Sequence, residues 1–94
     1  MSVVILGGNE CMERQYKDIC REYNCNAKVF CKMKGGMKSR LGTPDMLVVF
    51  TDTISHKMVQ CAMSELQGSS TKIVRSHSSS RAALKAILNE HAAQ

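Results

Sequence analysis

The chain has 94 residues, 44% of them hydrophobic, and a formal net charge of +5. It is sized for one domain, too apolar to be disordered, and able to bury about 60–65% of its unfolded surface. The basic excess favours an anionic partner, but two Phe, two Tyr and no Trp leave little for base stacking, and without a recognised motif nucleic acid is not expected.

Ser2-Val3-Val4-Ile5-Leu6 reads as a first strand, its apolar run unbroken by alternation and so covered on both faces. Gly7-Gly8 allows a tight turn and a close approach of backbone N–H groups to a ligand. Asn9 is a candidate N-cap for a helix over Glu10 to Tyr23, where Met12, Tyr16, Ile19 and Tyr23 recur on one face with Cys20 beside them. Asn24-Cys25-Asn26 breaks that helix. Ala27 to Met33 fits a second strand, and its alternation of Lys28 and Lys32 with Val29 and Cys31 places it at a sheet edge. The segment from Lys34 to Pro44 is long enough for a crossover but has no helical face of its own.

Met46-Leu47-Val48-Val49-Phe50 is the clearest strand in the chain. A polar burst follows it, Thr51-Asp52-Thr53-Ile54-Ser55-His56, before a helix whose inward face is Met58, Val59, Ala62, Met63 and Leu66. Ser55 is its candidate cap. Thr71 to Val74 is a short fourth strand, followed by the turn Arg75-Ser76-His77-Ser78-Ser79-Ser80. Ser79 or Ser80 caps a last helix with Ala83, Leu84, Ile87, Leu88 and His91 inward. The simplest closure is α/β: a small doubly wound parallel sheet of four strands, flavodoxin-like or half-Rossmann, in the order 2-1-3-4 with helices on both faces.

In that arrangement the strand ends converge on one rim, where ligands of open α/β sheets bind. They bring Gly7, Gly8 and Asn9 together with Thr51, Asp52, Ser55 and His56, and with Arg75, His77, Ser78 and Ser79. Backbone donors, a cation and clustered hydroxyls suit an anionic or phosphorylated small molecule. No G-x-G-x-x-G fingerprint or P-loop occurs, so no particular cofactor is indicated. Each feature also has a plain structural reading, the glycines as a tight turn, Asp52 as a cap and the serines as a solvated loop. Other uses of the rim stay open: an enzyme with His56 as acid or base and Asp52 beside it, or a metal site of His56, His77 and Cys31. An interaction or dimerisation module whose polar rim is merely solvated is a further reading.

Cys11, Cys20, Cys25, Cys31 and Cys61 have no Cys-x-x-Cys pair and no zinc-finger spacing, so packing residues of a reducing compartment are expected. The apolar run Val3–Leu6 is too short to span a bilayer and has no signal-peptide flanks. Cytoplasmic localisation follows as the expectation, with no membrane contact. Open strand edges give a prior for a homo-oligomer, a dimer first.

Gly7-Gly8 after the first strand, Pro44-Asp45 before the third, Thr51-Asp52-x-x-Ser55-His56, and Arg75-Ser76-His77-Ser78-Ser79 before an Ala/Leu-rich helix resemble a family of small bacterial α/β domains of unknown function. The resemblance covers nearly the whole chain and implies a Rossmann-like fold, with Asp52, Ser55, His56 and Ser79 at the matching polar positions. It implies no activity. Lys32 to Thr43 matches least.

Overall fold

A computed structural model describes residues 2–8, 10–30, 44–54, 56–65 and 70–91. Its strands are β1 (Ser2–Leu6), β2 (Asn26–Phe30), β3 (Met46–Phe50) and β4 (Lys72–Ser76), and its helices are α1 (Glu13–Glu22), α2 (His56–Glu65) and α3 (Arg81–His91). The strands form one parallel sheet in the order β2-β1-β3-β4. Helices cover both faces, and the fold is doubly wound α/β as the sequence predicts.

The two cores follow from strand alternation. Val3 and Ile5 of β1 and Met46, Val48 and Phe50 of β3 face α1 and α3, where they meet Tyr16, Ile19, Cys20, Leu84, Ile87 and Leu88. Val4, Leu6, Leu47 and Val49 face the other way, onto Met58 and Ala62 of α2. Every residue of β3 is buried, because β3 is flanked by β1 and β4 and covered on both faces. Tyr16 and Phe50 meet with ring centroids 5.4 Å apart and planes tilted by 42°, a spacing within the favourable range for aromatic pairs.

The helix ends show why the chain turns where it does. A short 3-10 turn, Glu10–Met12, precedes α1, which starts after Met12 without a side-chain cap; helix and 3-10 turn together fill the range expected for one helix. Asn24 ends α1 in the left-handed region at φ 59°, with its N–H donating to Arg21 O and that of Cys25 to Cys20 O. That is a Schellman closure, which tolerates Asn at the left-handed position. Ser80 caps α3, since its hydroxyl accepts from the N–H of Ala83 at 3.1 Å.

At the opposite edge of the sheet, Asp45 fastens three strands. Its carboxylate and carbonyl accept from the N–H groups of Ser2 and Lys72, and its own N–H donates to Ser2 O. One expectation is corrected here: β4 extends to Ser76, not Val74. Arg75 pairs with Val49 and Ser76 with Phe50, and the N–H of Thr51 donates to Ser76 O at 2.8 Å. The ladder with β3 outweighs the turn character of Arg75-Ser76, so Arg75 is a strand residue rather than a turn residue. The expected caps Asn9 and Ser55, the end of the second strand with Cys31, and Leu66 lie outside the described residues.

Candidate functional site

The turns after β1, β3 and β4 share the C-terminal rim, with the switch point of the sheet between β1 and β3. There the chain closes on itself. The N–H of Gly7 donates to Phe30 O at 2.9 Å, and that of Gly8 donates to Thr53 Oγ1 at 2.6 Å. Both glycines have positive φ, 91° and 88°, and a Cβ on Gly8 would lie 2.7 Å from the Tyr16 ring. This pair therefore serves a tight turn against Tyr16, and both of its N–H groups are used within the chain.

The serine-rich turn is likewise occupied with its own structure. Ser76 Oγ donates to Ser78 O at 2.8 Å, and Ser78 Oγ to Ser80 Oγ at 3.1 Å. Ser79 Oγ donates to Asp52 Oδ2 at 3.3 Å, which brings two of the expected site residues together. The Ser79 carbonyl accepts from the hydroxyl of buried Tyr16 at 2.6 Å. Clustered hydroxyls thus stabilise the β4–α3 turn, and Asp52 and Ser79 hold it to the turn after β3.

Thr51 and His77 form a second pair, with Thr51 Oγ1 3.1 Å from His77 Nδ1 and 3.2 Å from Ser76 O. One hydroxyl proton serves one acceptor. Thr51 therefore donates either to the Ser76 carbonyl, with Nδ1–H of His77 donating to Thr51 Oγ1, or to an unprotonated Nδ1. His77 is exposed at the rim. His56 opens α2, while Asn9, Ser55 and Cys31 lie outside the described residues. Among the described residues no three His, Cys, Asp or Glu side chains gather as metal ligands.

Arg75 stands apart from these networks. Its register partner is Val49, which faces α2, so Arg75 projects on the α2 side of edge strand β4. There it lines a groove of about 550 Å³ with Thr51, Ile54, Val59, Gln60 and Met63. The volume lies within the span of small-molecule sites. Of the expected site residues the groove takes Thr51 and Arg75, while Gly8, Asp52 and Ser79 belong to the closed turns. Sequence reasoning placed Val59 and Met63 on the inward face of α2, and missed that their side of the helix overhangs β4. Only the relative position of helix and edge strand reveals it.

No helix among the described residues is long and apolar enough to cross a membrane. No curated protein and no solved structure matches the chain. Residues 2–91 match the model of a family described as an uncharacterised protein conserved in bacteria, DUF2325. The match takes in every described strand and helix and the turns after β1, β3 and β4, and the chain belongs to that family.

Proposed function

We propose that this is a cytoplasmic binding domain that holds a small anionic molecule at the C-terminal rim of its sheet, with Arg75 as its cation. The observation that carries this reading is the position of Arg75. It is exposed on the groove wall, and among the described residues it forms no ion pair or hydrogen bond. A guanidinium presents a planar set of donors suited to carboxylate or phosphate. The free thiols of Cys20, Cys25 and Cys61 support a reducing compartment.

Titration with inorganic phosphate, followed by ¹H–¹⁵N NMR, tests the anion site. The amides of Thr51 and Arg75 are expected to shift in the wild type and to stay in place in Arg75→Gln. Equal shifts in both proteins, or none in either, reject Arg75 as the anion-binding group.

A second reading, a homodimer, is favoured by a different observation. Among the described residues β4 is an open edge of the sheet, and its Ile73 is 41% exposed, a large apolar side chain in solvent. Sedimentation equilibrium across a concentration series reads the subunit number directly.

A further inference from the structure

Resting on the anion reading above, we infer that the groove between α2 and β4 takes an amphipathic anion: a carboxylate or phosphate head on Arg75 and an apolar body along α2. The lining divides in that way. Ile54, Val59 and Met63 are apolar and half-buried, and Ile54 and Val59 border the α2-side core. Arg75 lies across from them on β4, with Gln60 and Thr51 the other polar groups. A fully hydrated anion such as free phosphate would satisfy Arg75 and leave the apolar wall wet. An alkyl or aryl carboxylate covers both, because burial of each methylene adds to the attraction at the head.

The occupant follows from charge as well as from shape. Arg75 is exposed and is the charged side chain among the described lining residues, and no described acidic residue lines the groove. A neutral lipid or a cation would leave Arg75 without a partner. A single negative charge on an apolar chain of about eight to twelve carbons matches the volume and the one cation.

The test is an NMR titration of wild type, Arg75→Gln and Met63→Gln with butanoate, octanoate, octyl phosphate, 1-octanol and inorganic phosphate. Met63→Gln keeps side-chain length and helix propensity, so the fold is retained. The expected result is that octanoate and octyl phosphate shift the amides of Ile54, Val59, Gln60, Met63 and Arg75. Octanoate should bind about tenfold tighter than butanoate, with that advantage reduced in Met63→Gln and head-group binding reduced about tenfold in Arg75→Gln. The tighter of the two octyl heads identifies the class as carboxylate or phosphate. Arg75-dependent phosphate binding that gains nothing from an alkyl chain overturns the amphipathic ligand and leaves the anion site standing. Octanol binding as tightly as octanoate, or no shift with any probe, overturns both. Shifts of the same amides with protein concentration alone assign the groove to a second copy of the chain and overturn the inference.

Discussion

Tyr16 shows how much of this domain rests on single polar contacts inside an apolar frame. It is fully buried, packs on Phe50 and donates to the Ser79 carbonyl, so one side chain ties α1 to the turn that launches α3. Tyr16→Phe keeps the ring and removes the donor. The expected cost is about 1–2 kcal/mol, because the Ser79 carbonyl loses its partner, and the urea midpoint should fall by the corresponding amount. An unchanged midpoint would mean that water replaces the hydroxyl at no cost. Cys20 makes a separate prediction about pH. Burial, and then the neighbouring Cys25, push its thiol up from 9.0 to about 12. The folded state holds this proton more tightly than the unfolded chain does, so the contribution to stability is complete below pH 9. It declines as the pH rises toward 12. The informative quantity is the stability gap between wild type and Cys20→Ala, in which every contribution common to the two proteins cancels. That gap should narrow as the pH rises from 9 toward 12, and parallel curves would remove the role assigned to the thiol.

Strand β3 organises the fold at the next scale. Its five residues are 0% exposed, it pairs on both sides, and its side chains enter both cores. Val48→Asp places a carboxylate between β1, β4 and the helices with no described cation facing it. An unpaired buried charge costs several kcal/mol, comparable to the whole stability of a small domain, and circular dichroism should show no cooperative melt at room temperature. A normal melt would show that β3 is not the centre of the sheet. The same strand explains why the fold was legible in the sequence. Met46–Phe50 and Val3–Leu6 are continuous apolar runs, and Tyr16–Ile19 and Leu84–Leu88 are helical stripes, so burial is written directly in residue type. Hydrogen bonding is not. Asp52, Ser79, Gly8 and Thr53 read as polar groups near one rim, but which of them bond to each other depends on how β1, β3 and α3 come together. Two hydroxyls that satisfy one another look the same in sequence as two that await a ligand. Arg75 illustrates the opposite case, a residue read as part of a turn whose real position on the α2 side of β4 is set by the ladder with Val49.

At the scale of the whole molecule, the sheet ends in two unlike edges. β2 presents exposed Asn26 and Lys28, and a charged side chain on an edge strand discourages further pairing. β4 carries Lys72 and Arg75 too, but exposes Ile73 between them. Lys72 donates inward to Asp45 O, and Ser76 accepts inward from Thr51. By the alternation of a parallel ladder, Ile73 and Arg75 therefore direct their backbone groups away from β3. A second copy added antiparallel about a two-fold axis at Val74 would set Ile73 opposite the partner subunit's Arg75. Lys72 would lie opposite the partner subunit's Ser76. No like charges meet in that register, and the apolar stem of an arginine covers Ile73. Ile73→Lys reverses this, because a lysine would face the partner subunit's Arg75 on both sides of the axis, and like charges directly opposite are destabilising. On this reading the wild type sediments as a dimer at high concentration and Ile73→Lys as a monomer. The variant's melt as a monomer should stay within about 0.5 kcal/mol of wild type, as for an exposed site. A wild type that is monomeric at every concentration would reject the dimer. A dimer that survives Ile73→Lys would move its interface off β4 and leave the groove beside Arg75 open to a small anion.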